Sequence, residues 1–182
     1  MENEVDIYII QKQTALQRYS KKYPNIDFLD YLEKDGQSID RLKYAHDEHM
    51  KSKEYLLECL NNYHLSYKIY NLDEISETYT LFYNDKQQNS GLNPKKNLVV
   101  ALGGDGTLLH ASHYVGGSVT LLGINSCPAH SVGHLCAIHT DKIKSFFELF
   151  LQNQLPIEKA RRLKIKTSNG QYLPLALNDI LI

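Results

Sequence analysis

The stretch that decides the fold is Leu98-Val99-Val100-Ala101-Leu102-Gly103-Gly104-Asp105-Gly106-Thr107. Its first half is apolar without interruption, which is typical of a strand buried on both faces of a parallel sheet. Its second half sets three glycines around one aspartate, and the apolar residues Leu108 and Leu109 that follow predict a short helix. A strand, a glycine turn and a helix in this order predict an α/β fold with a mostly parallel, Rossmann-like sheet.

Further elements are predicted on both sides of this stretch from the spacing of apolar residues. Strands are predicted over residues 5–10, 65–70 and 119–124, and helices from an N-cap at Ser38 to about Tyr63 and from an N-cap at Thr140 to about Leu151. Residues 84–97 form the clearest loop, because polar residues, a glycine and a proline fill them. The polar segment around Pro24 carries no predicted element.

The pattern changes toward the end of the chain. Residues 163–167 alternate between apolar and polar side chains, residues 168–171 are typical of a turn, and residues 172–182 favour a strand. Such a hairpin is antiparallel, unlike the crossovers expected before it. We therefore predict an α/β nucleotide-binding domain over residues 1–155, followed over residues 156–182 by the first strands of a truncated, β-rich domain.

The composition is that of an ordinary globular chain. Its 182 residues are 42% hydrophobic and 23% charged, with a formal net charge of −1 at pH 7. This charge gives no general attraction to nucleic acid or to an anionic membrane, and no apolar run reaches the roughly 18 residues that a membrane span needs. The acidic start Met1-Glu2-Asn3-Glu4 and the odd number of cysteines, three, favour a reducing, cytoplasmic location.

The glycine turn predicts a binding site for phosphate groups. Glycine lets a ligand approach the backbone, and the amides at the start of the following helix favour an anion. The turn is not a Walker A loop, because no Gly-Lys-Ser or Gly-Lys-Thr follows it. The carboxylate of Asp105 in such a place suits contacts with sugar hydroxyls, acceptance of a proton, or Mg²⁺. The simpler alternative is that Asp105 only caps the helix.

Two further segments lie downstream of the glycine turn. One is Leu122-Gly123-Ile124-Asn125 followed by Gly133-His134-Leu135, and the other is Ala176-Leu177-Asn178-Asp179-Ile180. With the glycine turn, these segments resemble the superfamily of NAD kinases, diacylglycerol kinases and phosphofructokinases, and within it the NAD kinase family. The insertion at residues 126–132 is similar to the mitochondrial-type NAD kinases and their bacterial relatives. The Gly-Thr-Gly-Asn segment of the lipid kinases is not found.

The resemblance implies roles for individual residues. Asp105 would be the base toward the 2′-hydroxyl of the adenosine ribose of NAD. The residues expected to shape the loop around the diphosphate or the ATP phosphates are Gly103, Gly104 and Thr107. The residues expected to contact NAD are Asp105, Gly106, Asn125, Asn178 and Asp179, and further candidates are His134 and His110.

The resemblance also implies an activity, the transfer of a phosphoryl group from ATP, or from polyphosphate, to NAD. It implies Mg²⁺ that arrives with the nucleotide, no metal held by the protein alone, small-molecule nucleotides as partners, and a homo-oligomer. NAD kinases build much of their nicotinamide and ATP sites from the β-rich domain, often from a neighbouring subunit. We therefore expect the 182-residue chain alone to be weakly active or inactive.

Two other functions stay open on the sequence alone. One is a kinase of the same superfamily that acts on a lipid or sugar hydroxyl, and the other is a non-catalytic nucleotide-binding module. A structural zinc site is a weaker alternative, because the spacing of its four candidate ligands does not follow the usual pairs. Those ligands are Cys127, His130, His134 and Cys136. Two histidine pairs, His46–His49 and His110–His113, are more typical of surface or boundary positions than of a metal site.

Overall fold

A computed structural model describes residues 7–34, 39–73, 75, 98–116, 119–172 and 176–177. The described strands are β1 (Ile7–Gln11), β2 (Tyr67–Asn71), β3 (Leu98–Gly103), β4 (Thr120–Asn125) and β5 (Ile138–His139). The described helices are α1 (Ala15–Lys22), α2 (Phe28–Lys34), α3 (Asp40–Asn62), α4 (Asp105–Ser112) and α5 (Ile143–Leu151), with a short 3₁₀ helix (Thr140–Lys142) before α5. None of these helices is long and apolar enough to cross a membrane.

The described strands form one sheet in the order β2-β1-β3-β4-β5, and every neighbouring pair is parallel. β3 lies at the centre with all of its residues buried, as its uninterrupted apolar sequence predicts. Parallel neighbours need crossover connections, and α4 supplies the one between β3 and β4. The predicted α/β class with a mostly parallel, Rossmann-like sheet is confirmed.

One face of the sheet is covered by α3 and α5. Ile7 and Ile9 of β1 pack there with Leu56 and Leu60 of α3 and with Phe147 of α5. Complete burial of each such side chain stabilises the fold by about 1.5–3 kcal/mol. Packing of this apolar layer therefore fixes where the start of α3 lies relative to the carboxyl ends of the strands.

The other face of the sheet is covered by α4. Leu108 and Ala111 of this helix pack against Ile10 of β1 and against Val99 and Ala101 of β3. Both helix residues lie within two turns of the glycine turn, so their burial sets the direction in which the first amides of α4 point. The helix is short, and tertiary packing rather than intrinsic propensity holds it.

Two helices flank Pro24, where the sequence analysis predicts no element. α1 begins with a capping box, in which the Thr14 hydroxyl accepts from the Gln17 amide and the Gln17 side chain accepts from the Thr14 amide. This reciprocal arrangement satisfies two amides that a helix start otherwise leaves free. The Thr-x-x-Gln spacing is visible in the sequence, so this helix could have been predicted.

The two predicted N-caps have different outcomes. Ser38 lies outside the described residues, and α3 begins at Asp40 without a side-chain capping bond at Ile39. The cap predicted at Thr140 is wrong, because its hydroxyl donates to Ser52 Oγ of α3 at 2.9 Å instead. The hydroxyl that the local pattern predicts as a helix cap is used in a tertiary hydrogen bond. α5 begins only at Ile143, after the 3₁₀ helix.

Antiparallel pairing appears where the sequence predicts a hairpin. Leu163 pairs with Ala176 and Lys166 with Tyr172, around a turn in which Gly170 has a φ of +86°. The predicted loop at residues 84–97 lies outside the described parts of the chain. The division into two domains near residue 155 stays a prediction.

Candidate functional site

The glycine turn lies at the carboxyl edge of the sheet, between the loops that follow β1 and β4. The amide of Lys12, just after β1, donates to Leu102 O at 3.2 Å, and the amide of Ser126, just after β4, donates to Gly103 O at 2.9 Å. Open parallel sheets bind ligands at this edge. The glycine turn, where the sequence predicts a site, therefore lies at the edge of the sheet where parallel sheets bind ligands.

Asp105 does not cap its own helix. The N-cap residue of α4 is Gly104, and no side chain makes a capping bond there. The two carboxylate oxygens of Asp105 instead accept from the backbone amides of His134 at 2.9 Å and Leu135 at 2.8 Å. The simpler alternative, in which the carboxylate serves only as a helix cap, is wrong.

The thiol of Cys136, in the same loop, lies near this carboxylate. Burial raises the pKa of the Cys136 thiol to about 11, and the charge of Asp105 and a hydrogen bond to it act in the same direction. The thiol therefore stays protonated at pH 7. An ionised carboxylate offers about four acceptor positions, so the half-buried Asp105 keeps capacity for further donors beyond the two loop amides.

Asn125 is wholly buried and shapes the loop that follows β4. Its amide nitrogen donates to Ser131 O at 2.8 Å, and its amide oxygen accepts from the Cys127 amide at 3.2 Å. Gly133 has a φ of +66°, and a Cβ there would overlap the Asn125 side-chain amide. These two residues together aim the next amides of the loop, at positions 134 and 135, toward Asp105.

The three glycines of the turn differ in what requires them. A Cβ at Gly103 would overlap the Thr107 side chain, and one at Gly104 would lie 2.5 Å from Ser131 Oγ. A Cβ at Gly106 would meet no protein atom within 4 Å, and this residue is exposed. Packing within the protein therefore requires glycine at positions 103 and 104. No contact with another described part of the protein requires glycine at position 106.

His49 of α3 is buried beside this edge, so the predicted surface or boundary position is wrong for it. Its side chain is 1% exposed, and its Nδ1 lies 2.8 Å from Ser126 Oγ. Burial, with the positive charges of Lys12, Lys53 and His46 acting in the same direction, lowers the pKa of His49 to about 4. The imidazole is therefore neutral at pH 7 and holds α3 against the loop after β4.

Two other residues of α3 contact loops at the same edge. His46 Nδ1 lies 2.8 Å from the Thr14 hydroxyl after β1, and Ser52 accepts from Thr140 after β5. With His49, they stand three residues apart along one face of α3. The sequence analysis does not predict this polar face, although residues spaced by three lie on the same side of a helix.

His49 gives a pH dependence of stability with a defined sign. Its pKa in the folded protein, about 4, lies below the unfolded value of about 6.5, so its contribution is complete above pH 6.5 and is lost as pH falls toward 4. We expect about 2 kcal/mol of unfolding free energy from this group to be lost between pH 7.5 and pH 5. Urea unfolding at both pH values measures this loss. It should shrink in His49→Gln and persist in His64→Asn, which alters an exposed histidine.

The remaining candidates lie apart from these contacts. The His110 ring nitrogen Nε2 contacts the Tyr114 hydroxyl at 3.1 Å, and burial lowers the His110 pKa. The His134 side chain is exposed, and the contact of this residue with Asp105 is made by its backbone amide. Asn178 and Asp179 lie outside the described residues, so their roles stay predictions.

The residues weighed for zinc do not form a metal site. Within the described ranges, no group of three or more His, Cys, Asp or Glu side chains is placed to hold a metal ion. The two cysteines of the set, Cys127 and Cys136, are free thiols, and Cys127 is buried. The segment is instead organised by the Asn125 and Asp105 hydrogen bonds described above.

A parallel sheet that ends in a glycine turn, beside a helix N-terminus and a carboxylate held by a second loop, defines a nucleotide-binding α/β domain. No protein-family model matches the chain. Its sequence is similar to a probable NADH kinase of Oryza sativa subsp. japonica, with 34% identity over 113 residues, which covers 53% of this chain and 35% of the relative.

Two more relatives point the same way. The NADH kinase of Arabidopsis thaliana is 39% identical over 92 residues, covering 42% of this chain and 29% of its own length. The NAD kinase of Methanospirillum hungatei is 32% identical over 137 residues, covering 75% of this chain and 46% of its own. The chain thus spans less than half the length of these relatives. Over the matched residues the chain is similar to these NAD and NADH kinases, and the resemblance to the NAD kinase family seen in its motifs is confirmed.

Proposed function

We propose that this protein phosphorylates the 2′-hydroxyl of the adenosine ribose of NAD, with ATP as donor, to give NADP. The observation that carries the proposal is the Asp105 carboxylate, which two loop amides hold at the first turn of α4. Relatives named NAD kinase or NADH kinase support the acceptor.

Asp105 would act as the general base. A sugar hydroxyl is a poor nucleophile at neutral pH, and a carboxylate with a free acceptor position can take its proton as the bond to phosphorus forms. The two loop amides fix the orientation of this carboxylate before substrate binds. Most of the rate enhancement in phosphoryl transfer would still come from positioning and from charge neutralisation.

The glycine turn would receive phosphate groups. Gly103 and Gly104 bring the backbone close to the loop after β4, and the Thr107 side chain packs into the space that a Cβ at Gly103 would fill. The first amides of α4 favour an anion at this end. Asn178 and Asp179 would meet ribose hydroxyls, and the buried Asn125 would act through the loop that it shapes.

Mg²⁺ would be held chiefly by the nucleotide. In the parts of the chain that the structure describes, the side chains form no metal cluster, and Asp105 is already bonded to loop amides. Mg²⁺ commonly keeps water and phosphate ligands with only one or two carboxylates, which fits this arrangement. It would supply charge neutralisation on the phosphates.

Gly106 gives a prediction that separates binding from folding. Gly106→Ala adds a methyl group where no protein atom lies within 4 Å, at an exposed position in the first turn of α4. We expect the free energy of unfolding to rise by up to about 1 kcal/mol, because alanine favours the helix. We expect NAD affinity to fall by about tenfold, because the methyl group takes space that the dinucleotide needs. Thermal melts and calorimetric NAD titrations measure both effects.

The control for this substitution is Lys144→Ala, at an exposed position in the first turn of α5. It should leave NAD affinity unchanged. Unaltered NAD affinity in Gly106→Ala would show that the dinucleotide does not lie against this residue.

The proposed activity is tested directly. Protein is incubated with NAD, ATP and Mg²⁺, and NADP is detected with an NADP-specific dehydrogenase, with diacylglycerol as a parallel acceptor. NADP formation supports the proposal, and phosphorylation of the lipid alone would replace it with a lipid kinase. NAD binding without turnover, in the presence of any sequence that continues the chain, would indicate a non-catalytic module. A homo-oligomer, implied by the resemblance, and a cytoplasmic location, favoured by the N-terminal residues and the cysteine count, are further parts of the proposal.

A further inference from the structure

Lys12 lies beside the glycine turn, on the side opposite to the loop that holds Asp105. It directly follows β1, whose last residue Gln11 is in register with Leu102 of β3. The Lys12 amide donates to the carbonyl of the same Leu102, the residue just before Gly103. The backbone at this position is thereby tied to the start of the turn.

Lys12 is half-buried, and its ammonium group has no acidic partner in the described parts of the chain. The ion pairs found there are Lys34–Asp30, Lys51–Glu48 and Lys142–Asp141. Burial lowers the pKa of Lys12, with the charge of Cys127 acting in the opposite direction. The positive charge of Lys12 in turn lowers the pKa of His49 of α3.

A partly desolvated cation without a counter-charge costs stability in the free protein. A bound anion removes that cost, and the edge where Lys12 lies is the edge where parallel sheets bind ligands. Phosphoryl transfer needs positive charge near the donor phosphates, and lysine supplies it as a compact point charge. Among the described residues that follow β3 and β4, Asp105 carries a carboxylate, Ser126 a hydroxyl and Cys127 a thiol. Lys12, after β1, carries the cation at the same edge.

We propose that Lys12 contacts the phosphate chain of the donor nucleotide, so that the donor lies on the β1 side of the glycine turn. The acceptor ribose then lies on the β4 side, next to Asp105 and the amides of His134 and Leu135. This inference rests on the proposed kinase function and adds the placement of the donor. An alternative role for Lys12 is packing of its aliphatic stem alone.

The two roles differ in what Lys12→Met does. Methionine keeps an apolar stem of similar length and removes the charge. If Lys12 binds phosphate, affinity for ATP–Mg²⁺ and for inorganic triphosphate should fall about tenfold or more, because charge-assisted hydrogen bonds are lost. Affinity for NAD should stay within about twofold, and the melting temperature should hold or rise because an unpaired charge is removed. Calorimetric titrations of the three ligands and a thermal melt give these values.

Lys68→Met is the matched control, since Lys68 is an exposed lysine within the edge strand β2. It should alter none of the affinities. Unchanged ATP and triphosphate affinity in folded Lys12→Met would overturn the inference while leaving the kinase proposal in place. Failure of the unaltered protein to bind NAD would overturn both.

A second measurement keeps the inference testable if Lys12→Met does not fold. The unaltered protein is treated with an amine-acetylating reagent, and acetylation of individual lysines is followed by mass spectrometry. ATP–Mg²⁺ or triphosphate should slow acetylation of Lys12 about fivefold or more, as a ligand that binds a site at high occupancy shields it. Lys68 should react at the same rate throughout. Equal rates for Lys12 with and without triphosphate would contradict donor binding.

Discussion

Replacement of Asp105 by asparagine is expected to lower kcat for NADP formation by about 10²- to 10⁴-fold, the usual contribution of a general base. Asparagine has nearly the same shape, but its neutral amide cannot take the proton of a ribose hydroxyl. NAD affinity should change little, because the hydrogen bonds to the bound hydroxyls can be re-formed. Steady-state kinetics with NADP-specific detection and calorimetric NAD titration measure the two quantities separately.

The same substitution has a cost in stability that must be separated from its effect on catalysis. Asp105 accepts from the amides of both His134 and Leu135, and the amide nitrogen of asparagine cannot accept. One loop amide therefore loses its partner, which is expected to cost about 1–3 kcal/mol of unfolding free energy. Urea unfolding of the variant measures this cost.

Asp141→Asn is the control, since Asp141 is an exposed carboxylate whose ion pair with Lys142 spans 3.6 Å. Neither kcat nor stability should change beyond the small range of surface substitutions. Turnover retained by Asp105→Asn would remove this residue from the role of base. A parallel fall in NAD affinity and kcat would instead show that the loop has moved. The size of the stability loss would then show how far the hydrogen bonds between Asp105 and the loop had weakened.

The central part of the fold could be predicted because its causes are local. β3 is apolar throughout, and a strand with apolar side chains on both faces has to be covered on both sides. The glycine turn and α4 follow within a few residues of the same chain segment. The sheet and the position of Asp105 at its carboxyl edge therefore follow from ten consecutive residues and from general rules of α/β folds.

The partners of Asp105 could not be predicted in this way. The amides that hold it lie 29 and 30 residues further along the chain, and no local pattern encodes the direction of a backbone amide. The same applies to His49, whose partner Ser126 is 77 residues away. A histidine pair spaced by three looks like a surface feature until the sheet places a loop against one of its members. The helix cap predicted at Thr140 is wrong for the same reason, because its hydroxyl donates to Ser52 of a helix distant in sequence.

Gly133→Ala is expected to have the second large effect, and it tests the loop rather than the carboxylate. Gly133 has a φ of +66°, which costs an alanine about 1–2 kcal/mol, and its Cβ would overlap the side-chain amide of Asn125. Overpacking of a buried site adds about 1–3 kcal/mol, so a total loss of about 2–5 kcal/mol in unfolding free energy is expected. Urea unfolding at neutral pH measures it.

Turnover should fall together with stability in this variant. The residues after Gly133 carry the amides that orient Asp105, and a displacement of about 1 Å at a catalytic group can cost about 10²-fold in rate. The kinetic loss should appear in kcat at temperatures where the variant is still folded, as judged by its melt. A destabilised Gly133→Ala with normal kcat would show that Asp105 keeps its orientation without this loop.

Gly170→Ala isolates the two causes of the stability loss. Gly170 also has a positive φ, +86°, but a Cβ there would meet nothing within 4 Å, and the residue lies in the exposed hairpin turn. Its substitution should therefore show the backbone cost alone, about 1–2 kcal/mol. The additional loss in Gly133→Ala then measures the overlap with Asn125. Because Asn125 ends β4 and Gly133 precedes the amides on Asp105, that difference reports how tightly the end of one strand fixes the carboxylate carried by its neighbour.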